Sequence, residues 1–295
     1  MIDSRDPNPE AFHRIEEIPE RLDEQHHITT QTLGFLIHPT ISINLSRQRG
    51  PLRIADIGSG TGAWLIDVAR TFPSAKLTGF DISPSTFPDP STLPPNISFC
   101  TQDMLSPFSS SEIGAYDLVA VRFISMATTR SEWIATIQNL LALLKPGGWL
   151  QWIDSCNFSL YCGTPGASRK ACQEIYDGLE SFREKEDLVI GMGMQARGNV
   201  GREEVWRGLG LVDVHEDVFS TDRVQDAGLG FREKGTRNAM ACFVGVLEGL
   251  VSQGKGEGWS RERIERVRRE AEREIDAGVY HTLDHVCIVG RKPDI

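Results

Sequence analysis

The sequence predicts an α/β protein built on a seven-stranded, mostly parallel sheet. Three observations lead there. From residue 52 onward, short apolar runs of strand length alternate with stretches of helical spacing; a glycine-rich turn, GSGTG, joins the first such strand directly to a helix; and Gly and Pro punctuate the connections. Strands separated by helices need crossover connections, and these make the sheet mainly parallel.

Taken in order, residues 11–37 carry apolar side chains at Phe12, Ile15, Leu22, Ile28, Leu33 and Leu36, which predicts one or two amphipathic helices punctuated by Pro19 and Pro39. LRIADI (52–57) is the first strand, and WLIDVARTF (64–72) is the helix after the glycine turn. KLTGFDI (76–82), ISFCTQD (97–103), YDLVAVR (116–122) and WLQWID (149–154) are the second to fifth strands. The loop 83–96 holds five prolines, so it is a surface loop and not a regular helix. SEWIATIQNLLALLK (131–145) reads as a helix with Ser131 as its N-cap. Beyond Asp154 a glycine-interrupted, partly helical stretch (157–210) leads to a sixth strand, LVDVHEDVFS (211–220). Two helices within 236–277 and a last strand within 279–290 complete the chain. The charged segment RERIERVRREAERE mixes signs at helical spacing, which predicts a solvated helix laced by ion pairs and not a nucleic-acid contact.

The chain has 295 residues, 40% hydrophobic and 24% charged, which fits one large domain with elaborations and excludes disorder throughout. Its net charge of −10 repels phosphate backbones and anionic lipid, so neither nucleic acid nor a membrane is an expected partner. The six cysteines, Cys100, Cys156, Cys162, Cys172, Cys242 and Cys287, form no CxxC pair. They read mostly as small buried residues of a reduced intracellular protein, and metal binding is not expected. With no signal-like start and no long apolar run, the expected location is the cytoplasm.

The strongest local signal is Asp56-Ile57-Gly58-Ser59-Gly60-Thr61-Gly62, between the first strand and its helix. Glycines there let the backbone approach a ligand without a Cβ in the way. The helix that follows offers free N–H groups and the positive end of its dipole to a carboxylate or phosphate. Asp81 ends the second strand, where a carboxylate can take both hydroxyls of a ribose. Asp103, at the end of the third, is placed to accept a hydrogen bond from an adenine amino group, with Ile82 and Met104 as apolar walls. GxGxG departs from the GxGxxG of dinucleotide sites, and the second acid suits an adenosine that ends there. A mononucleoside cofactor is therefore favoured over NAD, and the competing structural reading is a tight turn with capping acids.

In this order the motifs resemble those of the class I S-adenosylmethionine methyltransferases. IADIGSGTG matches the first motif, GFDIS the ribose-binding second, TQDM the adenine-binding third, and YDLVAVR and LLKPGGWLQW the later ones, over residues 50–155. RLDEQHHITTQTLGFLIHP, Arg122 in DLVAVRF, LQW after KPGG and VFSTDR (218–223) resemble, within that family, a fungal secondary-metabolism subgroup that methylates oxygen, nitrogen or sulfur of small natural products. The resemblance implies a Rossmann-like sheet with an N-terminal helical lid over 1–50 and a cofactor-binding core over 51–156. It places the C-terminal half of the sheet, with helical substrate-cap insertions, over 157–295. It further implies S-adenosylmethionine as cofactor, held by Asp56, Gly58, Ser59, Gly60, Gly62, Asp81, Ile82, Asp103, Met104 and Arg122, and a small-molecule substrate. A cyclase or pericyclase on the same fold, and a regulator that binds the cofactor without methylating, are the alternatives.

A sulfonium already activates its methyl group, so this chemistry asks mainly for positioning, desolvation and sometimes a base. His26 and His38 lie in the lid segment, and Asp154 ends the fifth strand beside the expected methyl position. Asp154 and His26 rank first as bases, against structural roles in hydrogen bonding or capping. Arg122 is expected to pair with the cofactor's carboxylate or with Asp154, and Arg21 to do similar work from the lid. Phe158, Tyr161, Met192, Met194, Met240 and Phe243 suit an apolar substrate or, equally, an ordinary core. The polar character of residues 11–38 predicts that the sheet folds without residues 1–38.

Overall fold

The computed structural model describes residues 19–186, 202–225, 230–256 and 258–294, so Met192 and Met194 lie outside the described residues. The described residues begin with helices α1 (Pro19–Leu33) and α2 (Pro39–Ser46), then run through β1 (Arg53–Ile57), α3 (Ala63–Thr71), β2 (Lys76–Asp81), β3 (Ile97–Thr101) and β4 (Tyr116–Arg122). They continue with α4 (Trp133–Leu143), β5 (Leu144–Cys162), α5 (Lys170–Lys185), α6 (Arg202–Gly208), β6 (Val212–Ser220), α7 (Phe231–Ser252), α8 (Arg261–Asp276) and β7 (Val279–Arg291). The proline-rich loop between β2 and β3 forms only two short 3₁₀ turns, at Pro84–Thr86 and Pro90–Thr92.

The sheet order is β3-β2-β1-β4-β5-β7-β6, with the β3-β2-β1-β4-β5 pairs parallel and β6 antiparallel to β7. The order reverses between β1 and β4, and the crevice beyond the strand ends at such a reversal is where open α/β sheets take their ligands. Both faces of the central strands are covered, which is why β1 and β4 read as continuous apolar runs without alternation. On one face Ala55, Ile57, Val119, Val121, Leu150 and Trp152 pack with Ile137 and Leu140 of α4. On the other, Ile54, Leu118, Ala120, Trp149 and Ile153 pack with Trp64, Leu65 and Val68 of α3 and with Leu33, Ile37, Ile41 and Leu45. Each large apolar side chain so buried contributes about 1.5–3 kcal/mol.

The second face corrects the expectation that residues 1–38 are dispensable for folding. Leu33 and Ile37 are buried in this core, and the Leu36 carbonyl accepts from Trp64 Nε1 and Gln151 Nε2, each at 3.0 Å. Pro39 starts α2 and does not merely end α1: its missing N–H falls in the first turn, and His38 caps that turn by accepting the Thr40 N–H on Nδ1. α4 begins at Trp133 with Glu132 in the cap position, so Ser131 is not the N-cap; Ser131 Oγ meets Thr129 Oγ1 at 3.0 Å. β5 is longer than WLQWID, because KPGG forms an irregularity between the Tyr116–Leu144 and Leu118–Trp149 pairs and does not end the strand. Only Cys172 and Cys287 are buried, and Cys100 and Cys162 are exposed.

By internal contacts the chain forms two units. One comprises His26–Asn157, Asp187–Arg223 and Leu283–Ile295 and holds both core clusters. The other comprises Met1–Gln25, Phe158–Glu186 and Val224–Thr282, with α5, α7 and α8 packed on one another. On α8 the expected ion-pair lacing is present: Glu265 pairs with Arg268 and Arg269, Arg268 with Glu272, and Arg266 with Glu270. Among the described residues no helix is long and apolar enough to cross a membrane.

Candidate active site

The turn after β1 is built on glycines in the left-handed region, Gly58 at φ +69°, Gly60 at +51° and Gly62 at +74°. A side chain would strain these positions, and at two of them it would also collide. A Cβ on Gly58 would lie 2.9 Å from Ile124 Cγ2, and one on Gly62 only 2.3 Å from Phe99 Cζ. The Gly58 and Ser59 N–H groups both donate to the Phe80 carbonyl, at 2.8 and 3.1 Å, which folds the turn against the end of β2.

Asp81, the last residue of β2, braces that turn. Its Oδ2 accepts the Gly60 N–H at 2.8 Å and its Oδ1 the Ser83 N–H at 2.9 Å, leaving a lone pair on each oxygen. Ile82, next in the chain, is a large apolar side chain left 40% exposed. Asp103 lies beyond the end of β3. Its carboxylate is engaged by its own turn, with the Leu105 N–H at 2.9 Å and Ser106 Oγ at 3.2 Å, while the Met104 carbonyl accepts from Asn139 Nδ2.

At the reversal point a buried chain of polar groups crosses four elements. Asp67 on α3 accepts from His26 Nε2 on α1 at 3.0 Å; His26 Nδ1 accepts from Arg122 Nη1 at 3.3 Å; and Arg122 Nη2, at the end of β4, reaches Asp56 Oδ2 on β1 at 3.3 Å. An Nδ1 that accepts from a guanidinium carries no proton, so the proton of the neutral ring sits on Nε2 and faces Asp67. Asp56 is fully buried, and burial pushes its carboxyl up to about 6 against the opposing pull of the Arg122 guanidinium. Asp56 Oδ1, Ser59 Oγ, Arg122 Nε and Thr29 Oγ1 are all buried without a hydrogen-bond partner among the described residues. Asp56 Oδ1 and Arg122 Nε belong to the two partners of one ion pair, so a polar ligand at that pair would satisfy groups that are otherwise left over, as buried polar groups normally are not.

The partner of Arg122 is therefore Asp56 and not Asp154. Asp154 is itself buried, and its carboxylate accepts from the Ser125 N–H at 3.0 Å, Ser125 Oγ at 2.8 Å and the Ser155 N–H at 2.9 Å. Burial raises its carboxyl, and those three donors partly offset the rise. β5 runs on to Cys162, so Asp154 lies within the strand and does not end it, and its carboxylate ties the middle of β5 to the turn after β4. His38, besides capping α2, meets Asp217 on β6 through Nε2 at 2.8 Å. Arg21 Nη1 donates within α1 to Gln25, and Tyr161 stacks on Tyr280 at 5.6 Å. Phe158 stacks on Tyr176 and His281 and meets Phe243 edge-on, and Met240 is buried. Sequence reasoning missed Asp67 and Ser125. Each is one polar residue in a helix or turn, and only its tertiary partner sets it apart.

These features suit a ligand with an amino acid at one end and a nucleoside at the other. Asp56 and Arg122 offer opposite charges to an ammonium and a carboxylate, and Asp81 has acceptor capacity left for a diol beside the exposed face of Ile82. Comparison with known proteins agrees. Residues 54–148 match the family model described as a methyltransferase domain. The chain is 37% identical over 277 residues to the N-methyltransferase sirN of Leptosphaeria maculans, covering 92% of this chain and 91% of that one. It is 33% identical over 286 residues to the methyltransferase grgD of a Penicillium species, covering 92% and 93%, and 30% identical over 239 residues to the N-methyltransferase tcpN of Claviceps purpurea, covering 79% and 77%. With the glycine turn, Asp81 at the end of β2 and the sheet order in place beside relatives of this length and identity, the chain belongs to the class I methyltransferases and uses S-adenosylmethionine as its cofactor.

Proposed function

We propose that this methyltransferase transfers the methyl group to a nitrogen of a small secondary metabolite. The observation that carries the cofactor end of the reading is the buried Asp67–His26–Arg122–Asp56 chain, which stops at an unpartnered carboxylate oxygen at the sheet's reversal point. The choice of nitrogen is supported by relatives named as N-methyltransferases. When bound, the cofactor supplies an electrophilic methyl group that the acceptor's lone pair takes as the carbon–sulfur electrons return to sulfur, the acceptor's N–H proton leaving to water.

In this proposal Asp56 receives the amino-acid ammonium, Arg122 holds the carboxylate, and Asp81 takes the ribose hydroxyls. Gly58, Ser59, Gly60 and Gly62 form the cradle, and Asp103, Ile82 and Met104 enclose the adenine. His26 serves as a positioning residue, because its two nitrogens already hold Arg122 and Asp67. Asp154, with three donors on its oxygens, fixes the turn after β4. The segment 1–50 excludes water from the sulfonium, and 157–295 supplies acceptor contacts.

The test is incubation with S-adenosylmethionine carrying a trideuterated methyl group and a panel of aniline, acetanilide, indole, benzylamine, phenol and thiophenol, followed by mass spectrometry. Label on nitrogen acceptors in preference to phenol and thiophenol is the expected outcome. Preferred labelling of oxygen or sulfur overturns the choice of atom.

A further inference from the structure

His285, on β7, is a buried imidazole that none of these roles uses. It is 3% exposed, and neither ring nitrogen has a hydrogen-bond partner among the described residues. Burial pushes it down to about 4, so the ring is neutral at physiological pH and carries one unused N–H donor and one unused acceptor nitrogen. Its surroundings are aromatic. Its ring meets that of Phe123 edge-on with 5.5 Å between centroids, and Phe219 is its partner across the β6–β7 ladder. A phenyl ring would fill this space without an orphaned donor and acceptor, so the imidazole calls for an explanation.

Its location supplies one. Phe123 directly follows Arg122 and precedes Ile124, whose side chain touches the glycine turn, and Ser125, which holds Asp154. Phe123 itself has φ +54°, a left-handed backbone in a bulky residue, which costs energy and is found where a turn is constrained by a site. His285 therefore stands against the turn that carries the cofactor arginine on one side and the Asp154 clamp on the other.

We infer that His285 is a substrate-binding residue, whose neutral imidazole pairs with an un-ionised N–H of the methyl acceptor and holds that nitrogen at the turn after β4. The inference rests on the N-methylation reading above and narrows its substrate class. A ring with no hydrogen-bonded carboxylate among the described residues suits an amide, an arylamine or an indole N–H; Asp284, its neighbour in the chain, acts on it only through space and offers an alkylammonium no paired counter-ion at the ring.

The experiment compares the full chain with His285→Phe and His285→Asn, using aniline, acetanilide, indole and benzylamine as acceptors and S-adenosylhomocysteine as the cofactor probe. Wild type should methylate the first three in preference to benzylamine. In His285→Phe, KM for the best acceptor should rise about tenfold to a hundredfold with a smaller change in kcat, as expected for a lost hydrogen bond that leaves a polar group unpaired. His285→Asn, which keeps a donor and an acceptor, should recover part of that loss. S-adenosylhomocysteine affinity should stay within about twofold in both variants, as for independent sites, and the Tm of His285→Phe should be equal or higher.

An unchanged acceptor KM in His285→Phe overturns the inference, as does a large fall in Tm in both variants, which would make the ring a structural element. A parallel loss of S-adenosylhomocysteine affinity overturns it too, by moving the residue to the cofactor site. A wild-type enzyme that methylates no nitrogen in the panel removes the N-methylation reading and this inference together; an active wild type matched by an equally active His285→Phe removes this inference alone.

Discussion

Asp56 offers the sharpest test of the cofactor site, because its charge is set by burial and should be felt only by a ligand that brings a cation. Its carboxyl stands at about 6 instead of 3.8, with Arg122 pulling it down and Asp81 pushing it up. The folded state therefore holds this proton more tightly than the unfolded chain. The stabilisation this gives is present at low pH and is lost as pH rises from 3.8 through 6, an effect on the order of 3 kcal/mol. Cofactor binding should run the other way, since only the ionised carboxylate pairs with an ammonium. With a pKa near 6 the ionised fraction falls from about nine-tenths at pH 7 to about one-tenth at pH 5, so S-adenosylhomocysteine should bind roughly tenfold more weakly at pH 5. The ligand's own ammonium stays charged over that range. Asp56→Asn, which keeps an oxygen for Arg122 but loses the charge, should bind about ten- to a hundredfold more weakly at pH 7 and show no further loss at pH 5. Calorimetric titration at the two pH values reads both effects. Equal wild-type affinity at pH 5 and 7 would refute the argument, and the wild-type slope surviving in Asp56→Asn would assign the titration to another group.

Three further outcomes are expected. Asp81→Ala removes the acceptor of the Gly60 and Ser83 N–H groups along with the ribose partner, and should cost about ten- to a hundredfold in S-adenosylhomocysteine affinity by calorimetry. Gly62→Ala places a Cβ 2.3 Å from Phe99 Cζ at φ +74°; left-handed strain alone costs about 1–2 kcal/mol, and the clash should lower Tm further, so an unchanged melting curve would contradict the turn geometry. Deleting residues 1–38 removes the buried side chains of Leu33 and Ile37, roughly 3–6 kcal/mol of burial out of a typical total of about 5–15, so circular dichroism should find a strongly destabilised sheet.

The sequence by itself determined the strand and helix order of the sheet, because two-sided burial makes strands such as RIADI and YDLVAVR near-continuously apolar and helices such as WLIDVART periodic. It also marked the glycine turn and Asp81, since a left-handed turn admits few residues other than glycine and a carboxylate at the next strand end stands where open α/β sheets take ligands. What only the tertiary structure decided is pairing. The sequence offers Arg122 the cofactor's carboxylate or Asp154 as partner, whereas the parallel register of β1 and β4 brings Asp56 to it and Ser125 and Ser155 take Asp154. His26 was legible as a polar residue on a helix, but its place between Asp67 and Arg122 depends on groups 41 and 96 residues away in sequence. The polar character of 11–38 as a whole hides the apolar run LGFLIH at 33–38, and the burial of that run with α3 and β5 depends on long-range packing. His285 illustrates the limit most plainly: a histidine in an apolar strand has no local signal, and only the three-dimensional surroundings reveal that neither nitrogen has a hydrogen-bond partner among the described residues.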